Sequence, residues 1–140
     1  MTGTTFRKKA YVILVVDDNA EMLSLIGSVL ELDDHRVITA ESGIEALELL
    51  AKITPPDLIL LDVRMEAMSG PEFLQVLEQK MPEIIKNVPV VLLTGMDVVP
   101  ITRAVGVIRK PFEIHGFLAK IIRYIKMGPP PISDQREINN

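Results

Sequence analysis

Short, unbroken apolar runs separated by helix-period segments constrain this chain more than any other feature. Residues 11–16 (Tyr-Val-Ile-Leu-Val-Val) and 58–61 (Leu-Ile-Leu-Leu) carry no polar alternation at all. A strand with one wet face alternates, whereas a continuous β-branched run belongs to a strand covered on both faces, as in a parallel sheet. Residues 88–93 form a further such run, with Pro89 tolerable because it stands at the strand's beginning. Residues 36–39 and 105–108 are weaker, shorter strands. The runs are about six residues at most, far below the ~20 needed to cross a bilayer. Basic Arg7, Lys8 and Lys9 precede a run that ends in two acids, not in a cleavage site, which argues against a secretory signal.

Between the strands lie amphipathic helices. Met22, Leu23, Ile26, Val29 and Leu30 share one face of a helix over 20–32. Ser42-Gly-Ile-Glu45 matches a capping box, followed by the stripe Ala46, Leu49, Leu50 and Ile53 and a stop at Pro55-Pro56. Ser69-Gly70-Pro71-Glu72 reads as a helix start, with Phe73, Leu74, Val76 and Leu77 behind it. Ile114, Phe117, Leu118, Ile121, Ile122 and Ile125 form the clearest stripe. Five βα units of this kind predict a doubly wound α/β fold, a five-stranded parallel sheet of flavodoxin-like order 2-1-3-4-5 with helices on both faces. The expected organisation is an N-terminal arm at 1–9, one domain at 10–127 and a tail at 128–140.

Composition narrows the function. At 140 residues the chain can bury about 68% of its unfolded surface. With 48% hydrophobic and 24% charged residues it is an ordinary globular sequence. A net charge of −4 disfavours direct nucleic-acid binding driven by overall charge. The absence of cysteine excludes disulfides, thiolate zinc, iron–sulfur clusters and thiol nucleophiles. The expected setting is soluble and cytoplasmic, with no membrane insertion.

The polar residues fall at strand ends: Asp17 and Asp18 after the first, Asp62 after the third, Thr94 after the fourth and Lys110 after the fifth. Ligands of such sheets bind beyond the carboxyl ends of the strands where the order reverses, here between the first and third. Three carboxylates in one crevice repel one another and favour a cation. An all-oxygen set suits Mg²⁺ or Mn²⁺. A carboxylate can act as nucleophile toward phosphorus, with Lys110 as a point charge and Thr94 as a hydroxyl donor to a transferred phosphoryl group. Read singly, Asp17-Asp18-Asn19 is also a helix cap, Asp62 a solvated strand end and Lys110-Pro111 a turn.

Val-Asp17-Asp18-Asn, Leu-Asp62-Val-Arg-Met65-Glu-Ala-Met68-Ser-Gly70, Leu-Leu-Thr94-Gly95 and Arg-Lys110-Pro111-Phe112, in this order, resemble the receiver domain of bacterial two-component response regulators. The resemblance spans about 10–127. It implies Asp62 as phosphoacceptor, Asp17, Asp18 and Asp62 with the Arg64 main-chain carbonyl around Mg²⁺, and Thr94 and Lys110 on the phosphoryl group. It further implies a sensor histidine kinase or phosphotransfer protein as donor, a downstream protein target, and a homodimer face formed by the fourth helix, fifth strand and fifth helix. Such a receiver is a signalling phosphoacceptor that promotes only its own phosphorylation and dephosphorylation.

Four departures from that pattern stand out. Glu66 replaces the usual Pro four residues after the phosphoacceptor, and Arg64 overlooks the site. Val107 occupies the place of the usual switch aromatic and cannot swing a ring. The connection 95–105 leaves room only for a shortened fourth helix, with Asp97 as a cap and Pro100 in its first turn. His35 and His115 share no ligand spacing, Met65 and Met68 read as packing residues, and Phe6 to Lys9 as a solvated arm. Two alternatives remain open: a protein-binding module independent of phosphorylation, and a Mg²⁺-dependent phosphohydrolase of the haloacid-dehalogenase type. The latter needs an acid where Arg64 stands.

Overall fold

A computed structural model of the chain describes residues 9–95 and 102–129. The elements are β1 (Val12–Val16), α1 (Ala20–Leu32), β2 (Arg36–Ala40), α2 (Gly43–Leu50), β3 (Leu58–Asp62), α3 (Gly70–Lys80), α4 (Pro82–Asn87), β4 (Val90–Thr94), β5 (Gly106–Arg109) and α5 (Ile114–Met127). All strand pairs are parallel, in the order β2-β1-β3-β4-β5. This is the flavodoxin-like α/β architecture expected from the sequence.

Successive strand residues point to opposite faces, and both faces are covered. On one, Leu14, Ile59, Leu61 and Leu92 pack against Ala46 and Leu50 of α2, Phe73 and Leu77 of α3, and Ile84 and Ile85 of α4. On the other, Ile13, Val15, Leu60, Val91 and Ile108 pack against Ile26 and Leu30 of α1 and Phe117 and Ile121 of α5. Every residue of β3 and β4 is buried. Their sequences are therefore apolar without alternation.

Several boundaries differ from the expectation. The helix α2 ends at Leu50 and not near Ile53, where the Lys52 amide bonds to the Leu49 carbonyl in a tightened i→i−3 turn. The segment after Ser69 forms two helices. Pro82 disfavours helical backbone at the residue before it, and Met81 accordingly breaks the path (φ −137°). The chain then restarts as α4, which inserts Ile84 and Ile85 into the core. Helical bonding runs on to the Val88 amide, so β4 begins at Val90 and not at 88. The shortened helix expected at 95–105, with Asp97 and Pro100, lies largely outside the described residues. Its described part, 102–105, is non-helical. The arm stretch Phe6 to Lys8 and the tail from 130 also lie outside them. Among the described residues no helix is long and apolar enough to cross a membrane.

On β5, a Cβ at Gly106 would meet the Tyr124 ring at 2.3 Å. The α5 aromatic therefore lies directly on bare strand backbone. Phe117→Ala, which empties a site 1% exposed, is expected to cost about 3–5 kcal/mol in urea unfolding. Leu25→Ala on the open face of α1 (52% exposed) should stay within about 0.5 kcal/mol.

Candidate functional site

Asp17, Asp62 and Thr94 continue or end three adjacent strands, and Lys110 follows a fourth. The Asp17 amide bonds to the Ala40 carbonyl (3.1 Å) and the Lys110 amide to the Thr94 carbonyl (2.8 Å), so each ladder runs on to the polar residue after the strand. Parallel pairing thus brings all four to one end of the sheet. The Lys110–Pro111 peptide is cis.

Helix capping leaves the acids available. Asn19, and not Asp17 or Asp18, caps α1 by accepting from the Met22 amide at 3.0 Å. Asp17 Oδ1 accepts from the Asn19 amide at 2.9 Å. Its Oδ2 is buried without a hydrogen bond, 3.6 Å from Lys110 Nζ. Asp62 Oδ1 lies 3.4 Å from the same ammonium. Asp18 is exposed, and its Oδ2 accepts from the Glu66 amide at 2.9 Å. Oxygens of Asp17, Asp18 and Asp62 all lie within 4.8 Å of one another.

One ammonium contacts two of the three carboxylates, Asp17 and Asp62. Burial raises the Asp62 pKa, and the neighbouring Asp17 charge raises it further; attraction and hydrogen bonding from Lys110 and the Arg64 amide only partly oppose this. The surplus negative charge, the oxygen-only donor set and the unsatisfied Asp17 Oδ2 together fit a hard divalent cation.

The β3–α3 loop closes the site. Ala67 adopts left-handed backbone (φ +64°), and the Met68 amide bonds to the Glu66 carbonyl at 2.6 Å. A Cβ at Gly70 would meet the Asp62 carbonyl oxygen at 2.5 Å, so only glycine lets α3 start this close to β3. Ser69 and Glu72 then form a reciprocal capping box. Beside Asp18, an open cleft of about 520 Å³ is lined by Arg64, Glu66, Ser69 and Pro71 among others.

Thr94 is buried (1% exposed) at the end of β4. Val107 is half-buried against the α2–α3–α4 side of the sheet. Arg103, in the connection after β4, pairs with Glu78 of α3, a tie that nothing in the sequence spacing signals. Met65 and Met68 pack against the core, as expected. His35 is buried near the opposite end of β1, where Nδ1 accepts from the Tyr11 amide at 3.1 Å. His115 is exposed in the first turn of α5. Neither histidine belongs to the site.

The comparisons with known proteins agree with this geometry. The family profile of the response regulator receiver domain matches residues 13–122. Sporulation initiation phosphotransferase F of Bacillus subtilis is 28% identical over 121 residues, covering 82% of this chain and 94% of that protein. The CpxR homolog of Haemophilus influenzae, a transcriptional regulatory protein, is 34% identical over 128 residues, and the chain spans only 52% of its length. Among solved structures, the chemotaxis protein CheY4 of Vibrio cholerae superposes with a TM-score of 0.74 at 28% identity, covering 83% of this chain and 99% of that one. The chain belongs to the response regulator receiver domain family, and its acidic pocket is that of a phosphoacceptor receiver.

Two stability predictions follow from the site. A carboxylate whose pKa is raised by folding destabilises the fold once ionised, an effect absent below the ordinary Asp range that sets in as pH rises through that range to the raised value. Asp62→Asn should therefore stabilise the metal-free protein near neutral pH, with the gain vanishing in acid, as read by thermal melts across pH. Ala67→Gly removes the left-handed penalty and should add about 1 kcal/mol in the same assay.

Proposed function

We propose that Asp62 is the phosphoacceptor and that Lys110, between Asp62 and Asp17 at 3.4 and 3.6 Å, is the observation that carries this reading. A carboxylate oxygen of Asp62 attacks the phosphorus of a phosphohistidine donor. The P–O bond forms as the P–N bond breaks, and its electron pair goes to the departing imidazole nitrogen. The Lys110 ammonium meets the charge arriving on the phosphoryl oxygens, and the Thr94 hydroxyl donates to one of them. Mg²⁺, or Mn²⁺, held by Asp17, Asp18, Asp62 and the Arg64 main-chain carbonyl, supplies positive charge to the transferring group. Attack by water on phosphorus later breaks the P–O bond and returns the carboxylate and inorganic phosphate.

The donor in this reading is a sensor histidine kinase or a phosphotransfer protein, and the site is cytoplasmic. Output passes to a downstream protein, with the β5–α5 face as the surface for a target or a second copy, without direct nucleic-acid contact. Phosphorylation adds about −1.5 to −2 charges, which draws Thr94 and Lys110 inward and shifts the loops after β3 and β4. Val107 has no ring to rotate, so the change leaves through backbone displacement on β5. Arg64, where the phosphohydrolase alternative needs an acid, supports the receiver reading over it.

Incubation with acetyl phosphate and Mg²⁺ should give a phosphoryl adduct by intact mass. Asp62→Asn should give none, and Lys110→Ala should lower the yield at least about tenfold. Absence of the adduct, with a partner still bound, would support the module independent of phosphorylation. Rapid turnover of added phosphate esters would support the hydrolase. Val107→Tyr should change partner affinity much more than adduct yield, and the reverse would contradict the backbone relay.

A further inference from the structure

Two of the three acids accept a hydrogen bond from a backbone amide. Asp17 takes the Asn19 amide, two residues along its own segment. Asp18 differs: its partner is the Glu66 amide, 48 residues away on the β3–α3 loop. Asp18 is also the exposed member of the three, so burial does not fix its side chain as it fixes the other two.

The loop is shaped to deliver that amide. Left-handed Ala67 and the bond from the Met68 amide to the Glu66 carbonyl make a tight turn immediately after it. The Gly70 amide closes the loop on the Val63 carbonyl at 2.9 Å, and Met68 is anchored against the core. The Glu66 side chain itself is exposed, and its negative charge beside Asp18 works against cation binding. Amide and side chain of one residue thus act in opposite directions.

We propose that the main-chain N–H of Glu66 is a positioning group for the metal site. It holds Asp18 turned toward Asp17 and Asp62, so that the β3–α3 loop and a bound divalent cation stabilise each other. The inference rests on the proposed metal-binding role of the three acids. Linkage is reciprocal: whatever orders the loop tightens the cation, and the cation in turn orders the loop.

The test compares Glu66→Pro with Glu66→Ala. Both lose the carboxylate, but only proline loses the N–H. By calorimetric titration with MgCl₂, Glu66→Ala should bind at least as tightly as the wild type. Glu66→Pro should bind about tenfold more weakly than Glu66→Ala, the scale of one hydrogen bond to a charged group. Equal affinities for the two variants would overturn the inference while leaving the metal site standing. A wild-type protein that takes up no Mg²⁺ would overturn both. Amide exchange supplies a reading that does not require the proline variant to fold. Exchange at Glu66 should slow on addition of MgCl₂ to the wild type and accelerate about tenfold in metal-free Asp18→Ala. An unchanged rate in Asp18→Ala would refute the bond.

Discussion

Repulsion among Asp17, Asp18 and Asp62, only partly offset by Lys110, is the interaction around which this molecule is arranged. The sheet order places β1 beside β3, so two apolar strands end in acids at the same edge. The β4–β5 pairing carries Lys110 to that edge. A fold with these strands in another order would leave the same residues too far apart to interact. Burial first, and then the Asp17 charge, keep the pKa of Asp62 above its ordinary value despite Lys110. The residual charge is what makes the pocket receptive to a divalent cation and leaves its energy sensitive to a phosphoryl group.

The surrounding structure tolerates this cost by keeping the acids out of other duties. Asn19 and Ser69 satisfy the helix ends on either side, and backbone amides hold the carboxylates in position. The strain of left-handed Ala67 lies in the loop that reaches Asp18, as expected where a functional geometry overrides local preference. The fold's stability comes from elsewhere, chiefly the two apolar layers around β3 and β4.

Much of this was legible from sequence because burial leaves a direct trace. Strands covered on both faces show no alternation, and those runs located β1, β3 and β4 to within two residues. Acids at the ends of such runs break the apolar pattern, which marks Asp17 and Asp62 in the sequence itself. Other features leave no periodic trace. Helix α4 is six residues long, too short for an amphipathic pattern, and Pro82 was its one local signal. At Ser42 the expected capping box forms only in part. The Ser42 oxygen accepts from the Glu45 amide, but the Glu45 carboxylate reaches back to the Glu41 amide instead. Glu66 is marked in the sequence as the replacement of the usual Pro, whereas the structure employs its amide, a group that proline lacks. The burial of His35 depends on the Tyr11 strand edge and cannot be inferred from spacing.

Val107 stands where the family usually carries its switch aromatic, on the strand that leads to Lys110. It packs on the α2–α3–α4 side of the sheet, and the tie between Arg103 and Glu78 links the connection after β4 to α3 on that same side. The convergence of charge at the pocket is tested most directly by a crystal structure with Mg²⁺ and beryllofluoride, a phosphoryl mimic. The account predicts beryllium on the Asp62 carboxylate, Mg²⁺ held by Asp17, Asp18, Asp62 and the Arg64 carbonyl, and fluorines within hydrogen-bonding distance of Lys110 Nζ and the Thr94 hydroxyl. Beryllofluoride bound elsewhere, or an Asp62 adduct with Lys110 and Thr94 both turned away from it, would contradict it.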